Sequence, residues 1–123
     1  MSREDEPAEP ATCGALEWCF HNSFVCDDAS QVPQDPVALL EAARDALDER
    51  TVHSLVAPPE LLRERQLRDG EQVLTYRFLF RSAQIALSRD RVQCINAAAC
   101  RRVAQMARLR WTLGYPVQQR NGQ

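Results

Sequence analysis

Apolar residues along the chain fall into stripes divided by short polar breaks, and most stripes recur at helical spacing. Leu16, Phe20 and Phe24 lie four apart with Trp18 and Val25 beside them, and Thr12 precedes them as a cap, so a helix is expected from Cys13 to about Val25. The segment DDASQVPQDP reads as a linker. Asp35-Pro36 then starts a second helix, with Asp at the N-cap and Pro in the first helical position. In PVALLEAARDALDER, Leu39, Leu40, Ala43 and Leu47 form the inward stripe and Glu41, Asp45, Asp48 and Glu49 the outward one. Pro59 opens a short helix over 60–68, which the Asp69-Gly70 pair closes.

Residues 71–87 read two ways. Leu74, Tyr76, Phe78 and Phe80 alternate as in a strand. The same stretch also reads as a buried helix, with Leu74, Phe78 and Ile85 on one line and Tyr76, Phe80, Ala83 and Leu87 on another. The run continues without a turn signal beyond ordinary strand length, which favours the helix. A last helix is capped by Ser88 or Asp90, carries Val92, Ile95, Ala99, Val103, Met106 and Leu113, and ends at Gly114 and Pro116. The expected fold is therefore all-α: a small bundle of four to five helices in one domain over 12–116, with a disordered acidic tail at 1–11 and a flexible C-terminal tail at 117–123.

Charge divides this plan. The net charge is −2, but residues 1–59 hold twelve acids against three arginines, and residues 60–123 hold five acids against twelve arginines. Such a split implies internal pairing of the halves or a basic face for an acidic partner. No apolar run reaches membrane-spanning length, and the acidic start MSREDEPAEP is unlike a signal peptide. Five cysteines, an odd number, argue against a disulfide framework. An intracellular protein of the cytoplasm or nucleus is expected.

All fifteen basic residues other than histidine are arginine. A GC-rich genome favours arginine codons. A chain without lysine also offers no side-chain amine to ubiquitin. Arginine, finally, provides a planar fork for phosphate or carboxylate that lysine does not match.

Candidate chemistry is sparse. Cys13, Cys19, His21 and Cys26 put four zinc-type ligands within fourteen residues, but in C-x5-C-x-H-x4-C spacing, without the C-x2-C knuckle of common fingers. On a helix Cys19 and Cys26 share a face while Cys13 and His21 point elsewhere, so no metal or other cofactor is expected. The two histidines, His21 and His53, have no catalytic motif around them, and no Gly-rich phosphate loop occurs. Enzymatic activity is not expected. Arg101, Arg102, Arg108 and Arg110 form a basic set on the last helix, suited to phosphate or an acidic partner.

Residues 38–47, ALLEAARDAL, resemble the box by which substrate receptors and some viral proteins dock on elongin C. Ala38, Leu39, Ala43 and Ala46-Leu47 occupy its small, Leu, Cys-or-Ala and small-aliphatic places; the cellular box has Cys where Ala43 stands, and the retroviral Vif form has Ala. That resemblance implies a ubiquitin-ligase component as partner, docked through Leu39, Leu40, Ala43 and Leu47, and it coincides with the absence of lysine. The function expected is a non-enzymatic adaptor that binds protein partners by helix faces, one version being a viral accessory factor that redirects host machinery. The alternative is a nucleic-acid-associated protein using the arginine-rich C-terminal helix. Homodimerisation is compatible with either.

Overall fold

The computed structural model describes residues 16–82 and 87–117. The expected acidic tail at 1–11, its neighbour Cys13 and the C-terminal tail beyond Val117 lie outside the described residues. The elements run β1 (Glu17–Cys26), α1 (Pro36–Asp45), β2 (Glu60–Gln66), β3 (Gln72–Arg81), α2 (Arg89–Ala107) and β4 (Arg110–Val117). The strands form one four-stranded sheet in the order β2-β3-β1-β4, with every neighbouring pair antiparallel. An isolated bridge between Leu55 and Phe80 extends the pairing beyond the named strands. This β-α-β-β-α-β succession is the split β-α-β, ferredoxin-like arrangement. The all-α bundle is thereby corrected: a mostly antiparallel sheet carries two helices.

The first expected helix is strand β1. Its stripe at 16, 20 and 24 has a spacing of four, which fits a period of 3.6 and a period of 2 equally well. The even positions Phe20, Asn22, Phe24 and Cys26 are all buried, and the odd ones are only partly so. The expected helix at 60–68 is the edge strand β2, whose polar, helix-favouring composition hides its pairing with β3. Asp69 and Gly70 do not end a helix. Both have positive φ, 63° and 81°, which is what a tight turn between antiparallel strands requires. The helix favoured for 71–87 is corrected too: Gln72–Arg81 is strand β3, and the alternating Leu74, Tyr76, Phe78 and Phe80 all point into the core.

The two helices begin where expected. The Asp35 side chain accepts from the Val37 amide at 3.0 Å, and Ser88 caps α2 by accepting from the Arg91 amide at 3.1 Å. The end of α2 differs from expectation. Arg108 takes the left-handed conformation at φ 59°, and the chain turns into β4 six residues before Gly114. Met106, expected inside, is 41% exposed, whereas Leu109 just past the helix is buried.

Both helices pack on one face of the sheet. Leu39, Ala42 and Ala43 of α1 and Val92, Ile95, Ala99, Cys100 and Val103 of α2 share a single core with Phe20, Phe24, Phe78 and Phe80. The aromatic rings interlock, Phe20 against Phe80 edge-on at 5.9 Å and Phe24 against Phe78 stacked at 6.4 Å. Among the described residues no helix is long and apolar enough to cross a membrane.

One polar contact lies inside this core. Asn22 Nδ2 donates to Asn96 Oδ1 at 2.8 Å, and Asn96 Nδ2 donates to Asn22 Oδ1 at 3.0 Å. Both residues are almost fully buried. Gly114 of β4 lies directly opposite Asn22, and a Cβ there would collide with Asn22 Oδ1 and come within 2.8 Å of Trp111 Cζ2. Gly114→Ala should therefore lower the urea midpoint, by about 1–3 kcal/mol of stability if the amide pair is broken. Asn22→Ala should cost a similar amount, because it leaves a buried amide unsatisfied. Asn22→Leu/Asn96→Leu should lie well above the sum of its single variants in a double-mutant cycle.

Candidate functional site: the open face of the sheet

Because β1 and β3 alternate, their odd-numbered residues face away from the helices, and no described element packs on that side. Strand register places these residues in rows. Cys19, Leu79 and Val117 make an apolar row at one end. His21, Arg77, Tyr115 and Glu60 make the next, then Ser23, Thr75 and Arg63, and then Val25, Val73, Arg65 and Arg110.

The aromatic row is the most distinctive. His21 and Tyr115 are paired on adjacent strands with ring centroids 6.1 Å apart and planes at 65°. Tyr115 is 44% exposed. Arg77 is held by Glu60, its cross-strand partner on β2. Ser23 Oγ and Thr75 Oγ1 share a hydrogen bond at 3.1 Å in the row below. Among the described residues Arg63 and Arg65 have no acidic partner. Partial burial, reinforced by the Arg77 and Arg63 guanidiniums, holds the His21 imidazole below its ordinary pKa. Burial raises the Cys19 thiol, with Glu17 adding to it and Arg77 opposing.

The sequence-derived candidates are distributed differently. Leu39 and Ala43 lie fully in the core, and Leu40 and Leu47 pack against it. The elongin C-like stripe is therefore the face by which α1 joins the rest of the fold. Arg101, Arg102, Arg108 and Arg110 do not share a helical stripe. Arg102 spans to Asp45 of α1 at 3.1 Å and also donates to Gln105. Arg110, in β4 rather than the helix, holds Asp27 at 2.8 Å and Glu71 at 3.0 Å. Arg101 and Arg108 are exposed without an acidic partner among the described residues. Of the zinc-type residues, Cys19 and His21 project together on the open face, Cys26 points into the core, and Cys13 lies outside the described residues. Among the described residues no three His, Cys, Asp or Glu side chains come together as a metal site.

The open face also gathers Tyr115 together with Arg77, Arg63 and Arg65, three arginines that no sequence motif marks out. In the sequence His21 stands out as a metal-type ligand without a catalytic motif around it. The alternation of 72–81 signals half of this face, but the β4 contribution is hidden inside what reads as the end of a helix.

No family model matches the chain, and no curated protein matches it.

Two measurements check these surroundings. In an NMR titration His21 should take up its proton below pH 6.5, and Arg77→Gln should move that midpoint upward. The unfolded chain protonates first as pH falls below 6.5, so His21 removes stability on acidification through that window and restores it as pH rises. In a Cys13→Ser background, a thiol reagent should modify the exposed Cys94 first, and Cys26 and Cys100 only at the rate of unfolding, because both are buried and burial raises both thiols.

Proposed function

We propose that the protein is a non-enzymatic interaction module that works inside the cell and meets its partner across the open face of the sheet. The observation that carries this reading is the aromatic row. An exposed tyrosine and a partly exposed histidine stand side by side on a sheet face that no described element covers, flanked by arginines. Such amphipathic rings and guanidiniums are the residue types that supply contact energy at interfaces. The open face replaces the α1 stripe as the docking surface, because Leu39 and Ala43 reach a partner only if the core opens. The non-enzymatic part of the reading rests on the sequence, which offers no nucleophile motif and no phosphate loop.

Affinity capture from cell extract tests it. Tyr115→Ala/Arg63→Glu should lose the material that the parent chain retains, while circular dichroism and thermal melting stay unchanged, since both side chains lie outside the core. Capture undiminished in the folded variant removes the open face from the interface.

A further inference from the structure

We infer that the occupant of the open sheet face is a single-stranded polynucleotide, its bases stacked on Tyr115 and His21 and its phosphates held along Arg63, Arg65 and Arg77. This rests on the reading of that face as the interface and names the ligand.

Three features of the face converge on that chemistry. The first is the ring pair itself. His21 and Tyr115 occupy directly paired positions on β1 and β4, so their rings rise from the sheet as neighbours. A flat ring offered from a sheet takes up unstacked bases, which have a π-face whatever their identity. A duplex keeps those faces covered, so the site selects single strands.

The second is the placement of charge. Arg63 and Arg65 lie on β2 and Arg77 on β3, all on the same face as the rings. From β1 to β2 is two strand spacings, about 10 Å. Bases at the β1–β4 side and phosphates at the β2 side therefore divide the face between them. Acidic residues are present as well, but placed with partners: Glu60 is held by Arg77, and Glu17 by Arg81 at 2.9 Å. Arg63 and Arg65 keep their charge uncompensated among the described residues. The field is felt at the ring pair, since Arg77 and Arg63 both disfavour a proton on His21. The same field favours a phosphate.

The third is the character of what lies between. Ser23 and Thr75 hydroxyls sit at the centre, with Val25 and Val73 on one side and Cys19 and Leu79 on the other. An acidic peptide would use the arginines but would leave the rings without a planar partner. The area suits a short site of about two or three nucleotides.

Fluorescence anisotropy decides the matter. Short labelled single-stranded RNA, single-stranded DNA and the matching duplex are titrated with the full chain across a salt series that starts near 50 mM. Either single strand should bind, the duplex at least about tenfold more weakly, with affinity falling as salt rises. A preference for RNA or DNA identifies the sugar. Tyr115→Ala should weaken binding about 5- to 100-fold, the loss of one stacked base. Arg63→Glu/Arg65→Glu should weaken it and flatten the salt slope, and Arg101→Glu/Arg108→Glu should leave it unchanged. Circular dichroism confirms that each variant is folded.

Failure of both single strands to bind at low salt overturns the inference. The capture experiment then shows separately whether the open face meets some other partner. Binding that survives Tyr115→Ala and Arg63→Glu/Arg65→Glu but disappears with Arg101→Glu/Arg108→Glu also overturns it, moving the nucleic acid to α2.

Discussion

The reciprocal amide pair between Asn22 and Asn96 is the constraint around which the molecule is arranged. A buried carboxamide needs its donor and acceptor answered, and here each asparagine answers the other. The pair fixes which face of β1 turns inward and which side of α2 meets it, 74 residues further along the chain. It also dictates the residue above it: β4 passes so close that only a glycine fits at position 114. Cys100 completes the arrangement, its Sγ donating to Asn96 Oδ1 at 3.7 Å. An apolar pair of similar volume would satisfy the hydrophobic effect but would specify the docking of α2 less sharply.

Around that centre the charges are distributed by chain half. Glu17 pairs with Arg81, Asp27 with Arg110 and Asp45 with Arg102, so acidic residues of the first half meet arginines of the second. These pairs are exposed, and pairs of that kind hold little of the fold together. They tie up Arg81, Arg102 and Arg110 of the arginines that the sequence places in the second half. The arginines left over on β2 are then a feature of position rather than of composition.

How much of this could be read from the sequence varied by element. The starts of both helices were legible because a cap is a local event: Asp35-Pro36 and Ser88 state it within a few residues. The strands were not, for two separate reasons. In β1 the spacing of Leu16, Phe20 and Phe24 does not distinguish the two periods, and the polar Asn22 breaks the alternation that would have decided it. Its partner is 74 residues away, beyond any local pattern. In β4 the chain leaves α2 through Arg108, which occupies a left-handed position without being Gly or Asn, so no residue announces the stop. The candidate site suffered most. It is assembled from four strands, and all four read as helix, β3 with strand as the alternative. The arginine set of the C-terminal segment was visible as composition, but its placement on a single helix depended on a helix that ends before Arg108 and Arg110.

Each outer strand also contains one irregularity in register, between Leu61 and Arg63 in β2 and opposite Ser23 and Phe24 in β4. A bulge of this kind inverts the facing of every residue beyond it. It is why Glu60 and Arg63, an odd number apart, share a face, and why Trp111 and Gly114 both look toward the helices. The two rims of the sheet are thus out of phase with simple alternation, each by a single residue. Loss of Leu62 or Thr112 would re-phase a rim, and the make-up of the open surface would change without alteration of β1 or β3. In such a scaffold the central strands conserve the core, while single-residue insertions and deletions at the rims offer a route to new surfaces.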